Sequence, residues 1–76
     1  MFEKIAEIIT EYVEVPREEI TEETSFLSEL KMNSLDIMTM VAELEDTFDI
    51  TIETEDLNDI RTVGDLTEYI SERMSE

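Results

Sequence analysis

In KMNSLDIM, residues 31–38, a serine sits between Asn33 and Leu35 where a helix should begin, and it is the side chain most open to chemistry. A serine nucleophile needs a positioned base, and the chain has neither histidine nor cysteine. Lys4 and Lys31 are the only lysines, and no spacing sets either beside Ser34 in a dry pocket. The acid pairs Glu18 with Glu19 and Glu22 with Glu23 have the groups for acid–base work, yet adjacent acids in so acidic a chain read as a solvated surface. DTFDITIETED, residues 46–56, is rich in carboxylates but lacks the glycine and the ligand spacing of a calcium-binding loop. Neither catalysis nor a built metal site is expected. Ser34 can instead accept a modification, because free N–H groups and the helix dipole favour a phosphate attached there. A first-turn serine that merely assists the cap is the simpler reading of its own chemistry.

The element that positions Ser34 is a second helix, predicted to start with Asn33 as N-cap, to carry Asp36 in its first turn, and to run to Phe48 or Asp49. A first helix is predicted from Phe2 to about Glu14, on the spacing of Phe2, Ile5, Ile9 and Tyr12 or Val13, ending before Pro16. Between them PREEITEETSFLSELKM, residues 16–32, reads as a long loop packed on the core through Ile20, Phe26, Leu27 and Leu30, with a helical turn near residues 26–30. ITIET alternates like a strand but has no partner, so it reads as an extended connection. A brief third helix is predicted from Thr54, its cap, to about Asp59. A fourth is capped by Thr62 with Asp65 three residues on, and its apolar face is Val63, Leu66, Ile70 and Met74. The fold class is all-α: a small four-helix bundle, three main helices and a short one, with a long loop between the first two.

The second helix carries two apolar stripes. Ile37, Met40, Val41, Leu44 and Phe48 share one face, suited to a core. Leu35, Met38 and Ala42 form a second stripe, bordered by Asp36, Glu43, Glu45 and Asp46. That stripe reads equally well as the flank of a wide core face or as a partner-facing patch with an acidic rim.

Composition sets the outer limits. Seventy-six residues allow one domain, 1–76, near the lower limit for a core without disulfide or metal. The 22 acids against 5 bases give a net charge of −17, which repels nucleic acid and anionic membranes and attracts basic protein surfaces. No apolar run approaches the roughly 18 residues of a membrane span, and the N-terminus lacks a signal-peptide core. A soluble cytoplasmic protein is expected, monomeric through self-repulsion.

ITEETSFLSELKMNSLD, residues 20–36, followed by VAELEDTFDITIETEDLNDIRTVGDLTEYI, residues 41–70, resembles the acyl carrier protein family in order and spacing over almost the full length. The resemblance implies that Ser34 carries 4'-phosphopantetheine, donated by coenzyme A through a phosphopantetheinyl transferase, and that acyl groups ride on the arm's thiol as thioesters. The cofactor would then supply the thiol that the chain lacks. It implies a recognition surface of Asn33, Leu35, Asp36, Met38, Ala42, Glu45 and Asp46 for acyl-transferring and condensing enzymes with basic docking patches. It also implies an acyl-chain cavity lined by Val41, Leu44, Phe48, Ile52 and Ile60. The chain departs from the family pattern at Asn33 for aspartate, Lys31 for glycine and Glu53 for proline. Two other readings stand beside the acyl carrier: an unmodified acidic interaction module on the same fold, and an aminoacyl or peptidyl carrier.

Overall fold

Asn33 fixes where the longest helix begins. Its Oδ1 accepts the Asp36 N–H at 2.8 Å while its own backbone is extended, so one otherwise unpaired donor of the first turn is satisfied. The helix, α2, runs Ser34–Phe48 and ends on Asp49 in the left-handed conformation, φ 54°, which aspartate tolerates better than most residues. The computed structural model describes residues 1–74, so the last two residues of the expected domain lie outside the described residues. Two further helices, α1 at Phe2–Ile9 and α3 at Val63–Met74, pack with α2, and 3-10 helices cover Arg17–Glu19 and Thr54–Asp59. The described residues form no strand, only an isolated bridge between Ser25 and Thr62.

The expected all-α bundle is the fold observed, with three differences in its elements. The first helix stops at Ile9, several residues short of Glu14. From Glu11 onward the backbone pairs three residues back, Glu11 to Ile8 and Tyr12 to Ile9, and the Tyr12 hydroxyl reaches across to donate to Glu43 Oε1 on α2. The short helix occupies the predicted residues but is a 3-10 helix whose cap position is Glu53, not Thr54, and no side chain caps it. The loop adds a 3-10 turn at Arg17–Glu19 to the predicted turn, which closes through Glu29 and Leu30 N–H groups on the Ser25 carbonyl.

The cap of α3 forms as expected. Asp65 N–H donates to Thr62 Oγ1 at 3.2 Å, and the Thr62 N–H donates back to Asp65 Oδ2 at 3.3 Å, the reciprocal pair that satisfies two free donors. The core is drawn from all three helices: Ile5, Ile9, Met40, Leu44, Val63, Leu66 and Ile70 are essentially inaccessible. Met74, expected on the same face as Ile70, is instead exposed, because the last turn of α3 runs past the core.

The long loop is bound to this core by Ile20, Phe26, Leu30 and Met32, all buried, whereas Leu27, expected to pack with them, is exposed. It also lies against the start of α3, where Val63 N–H donates to the Thr24 carbonyl, Gly64 N–H to that of Glu22, and Phe26 N–H to that of Arg61. A Cβ at Gly64 would meet the Glu22 carbonyl oxygen at 2.8 Å, so this approach needs glycine. Thr24, the buried polar residue of the loop, is satisfied by the Thr21 N–H at 2.9 Å.

Candidate functional site

Ser34 is the first residue of α2, and its side chain is exposed. The cap beside it is made by Asn33, and among the described residues the Ser34 hydroxyl makes no hydrogen bond. It opens onto a cleft of about 630 Å³, comparable in size with small-molecule sites. One wall is the N-terminal half of α2, with Ile37, Met38, Met40 and Val41; the loop contributes Phe26, and the second 3-10 helix and α3 contribute Leu57, Ile60 and Leu66.

The five residues expected to line an acyl cavity divide. Val41 and Ile60 are in the cleft wall; Leu44, Phe48 and Ile52 are not. Leu44 and Phe48 lie about one and two turns beyond Val41, away from Ser34. Leu44 and Ile52 are buried in the core, and Phe48 packs half-buried against it. Phe26, Met40, Leu57 and Leu66 line the cleft without having been expected there. The available signal was Phe26, an aromatic in a polar loop, which had to pack on something.

The second stripe of α2 is exposed. Leu35 is 74% accessible and Met38 46%, and Ala42 is exposed with them, so the stripe is not the flank of a wide core face. Asp46 lies exposed at its end, and Asp36 is half-buried in the first turn. Glu45, expected beside Asp46 on the same surface, has a structural bond: its Oε2 accepts the Ile52 N–H at 2.8 Å, holding the extended connection to α2. Glu43, which bordered the stripe, is bound to the Tyr12 hydroxyl, and this bond together with burial pushes the Tyr12 pKa up to about 12. Its negative charge also raises the pKa of Glu11. Among the described residues no group of His, Cys, Asp or Glu side chains is placed to hold a metal ion.

Residues 3–70 match the family model described as the phosphopantetheine attachment site. An acyl carrier protein from Syntrophus aciditrophicus is 46% identical over 71 residues, covering 93% of this chain and 89% of its own. The chain belongs to the acyl carrier protein family. An acyl carrier protein from Streptococcus pyogenes is 47% identical over 73 residues, 96% of this chain and 95% of its own. The fold agrees: the acyl carrier protein of Enterococcus faecalis superposes with a TM-score of 0.83 at 32% identity, covering 95% of this chain and 91% of that one. A Mycobacterium tuberculosis chain described as an acyl carrier protein gives the same score and identity over 93% and 96%.

Acyl carrier proteins are carriers rather than catalysts; they work with a phosphopantetheinyl transferase and with biosynthetic enzymes. Their prosthetic group is a covalently attached 4'-phosphopantetheine. The residues here fit such a group: an unengaged hydroxyl at a helix start, beside a cleft with an apolar floor. No helix among the described residues is long and apolar enough to cross a membrane.

Proposed function

We propose that this chain is a free-standing, non-catalytic acyl carrier whose phosphopantetheine arm is attached to Ser34. The observation that carries the reading is the position of Ser34, exposed and unbonded at the first residue of α2 on the rim of the 630 Å³ cleft. The Ser34 Oγ displaces the nucleotide part of coenzyme A from the pantetheine-bearing phosphorus. One P–O bond breaks as the Oγ–P bond forms, adenosine 3',5'-bisphosphate leaves, and the hydroxyl proton passes to a base on the transferase. The arm's thiol then supplies the thioester chemistry. The chain's own part is to present that arm: Asn33 holds the helix start, and the exposed Leu35, Met38 and Ala42 with Asp36 and Asp46 offer apolar contact inside an acidic rim to basic enzyme surfaces.

The setting we propose is fatty-acid or polyketide synthesis in the cytoplasm, and the self-repulsion of a net charge of −17 favours a monomeric carrier. Because Glu45 holds the Ile52 N–H, charge reversal at Asp46 tests the recognition surface more cleanly than reversal at Glu45. The decisive experiment is the intact mass before and after incubation with coenzyme A and a broad-specificity phosphopantetheinyl transferase. A gain of one phosphopantetheine, absent in Ser34→Ala, is expected. No gain with several transferases would overturn the reading in favour of an unmodified interaction module, with Asn33 the residue to change first.

A further inference from the structure

The cleft beside Ser34 differs in charge from the rest of the molecule. Aspartate and glutamate make up 22 of the 76 residues, and a neighbouring hollow of about 320 Å³ has five acids among its seven lining residues. None of the 15 residues lining the cleft is an acid, and one of them is Arg61. The two other arginines are engaged: Arg17 lies over the Phe2 ring at 5.2 Å, and Arg73 pairs with Asp56 at 3.2 Å. The Arg61 guanidinium has no such partner among the described residues. Asp65, four residues on, is turned to the backbone, where Oδ2 accepts the Arg61 and Thr62 N–H groups, and Asp59, two residues before, is in the wall of the neighbouring hollow and not of the cleft. Arg61 is also fixed on its other side, since its carbonyl accepts the Phe26 N–H at 3.1 Å. The backbone is therefore pinned at the cleft while the charged end of the side chain is uncommitted.

A guanidinium binds phosphate and carboxylate through paired N–H donors, and a wall without acids leaves its charge uncancelled. We propose, on the reading that Ser34 carries the arm, that Arg61 is the anion anchor of this cleft: it pairs with an anionic oxygen group brought in from Ser34. That group is either the arm's phosphodiester or a carboxylate on the acyl cargo. An aminoacyl group, with its ammonium, gains nothing from such a wall, so the cleft favours neutral or acidic cargo.

The test follows the Arg61 side-chain Nε–H resonance in ¹⁵N-labelled protein, assigned by its loss in Arg61→Lys. Four forms are compared, each verified by intact mass: unmodified, arm with free thiol, arm carrying glutaryl, and arm carrying the equally long but neutral pentanoyl group. A shift on arm attachment that is the same for every cargo assigns the phosphodiester; a shift confined to the glutaryl form assigns the carboxylate. In the responding form Arg61→Gln is expected to melt about 3 °C below the unsubstituted protein, with the unmodified forms equal. An Arg61 resonance unmoved across all four forms overturns the proposal. If the mass shows that Ser34 takes no arm, it is the reading of Ser34 that fails, and the resonance is followed with free 4'-phosphopantetheine and free glutarate at millimolar concentration. A shift with either then sustains the anchor, and none with both overturns it.

Discussion

At residue scale the backbone at Lys31 shows what one departure from the family pattern costs. Its φ is 54°, the left-handed region that costs a residue with a Cβ about 1–2 kcal/mol. The conformation lets Leu30 and Met32 both turn inward, 6% and 3% accessible, while Lys31 between them faces solvent. Glycine meets that geometry without strain, offset in part by the freer unfolded chain it brings. Lys31→Gly should therefore stabilise the fold by about 0.5–1 kcal/mol, a Tm rise of roughly 3–6 °C in a thermal melt. An unchanged or lower Tm would show that residue 31 is not strained. The departure was visible in the sequence; its dihedral was not, because the burial of the two neighbours sets it. The place of Ser34 at a helix start was legible, whereas the bond of Glu45 to the backbone was not, since its partner lies seven residues away in a connection without regular structure.

At the scale of elements, helices with their own caps were legible: Asn33 and the Thr62–Asp65 pair announced α2 and α3. The end of α1 was not, because a contact to another element decides it. The Tyr12 hydroxyl bond to Glu43 ties the turn after α1 to the middle of α2, and with burial it pushes the tyrosine pKa from 10.0 up to about 12. A folded-state pKa above the unfolded value marks stability that is complete below pH 10 and is lost as pH rises toward 12. Denaturant melts in this range should show that loss, and Tyr12→Phe should lack it. Tyr69, whose pKa is also raised, by burial and then by its bond to Asp56, is best replaced by Phe in both proteins compared. Equal pH dependence with and without Tyr12 would remove the bond from the account. The cleft was legible only at Val41 and Ile60, since its walls come from three segments far apart in the chain, and helical periodicity reports only on neighbours within one helix.

Over the whole molecule, charge works against the fold. The radius of gyration, 11.2 Å, is close to the roughly 11 Å of an ordinary folded chain of this length, yet a net charge of −17 is held within it. The Arg73–Asp56 pair is the one ion pair found among the described residues, so repulsion between carboxylates is largely uncompensated and open to screening. Raising sodium chloride from 10 to 500 mM should lift Tm by about 5 °C or more; a flat or falling response would mean that self-repulsion is negligible. The pairing of the loop with the start of α3 has a consequence in time. Glu22, Thr24 and Phe26 meet Gly64, Val63 and Arg61 across roughly forty intervening residues, a closure whose entropy must be met before its contacts return anything. Because that closure joins the Phe26 wall to the Ile60 and Leu66 wall, a chain that has formed α1 and α2 but not yet closed has no cleft. Such a chain already presents Ser34 at the start of α2, but with no hollow beside it.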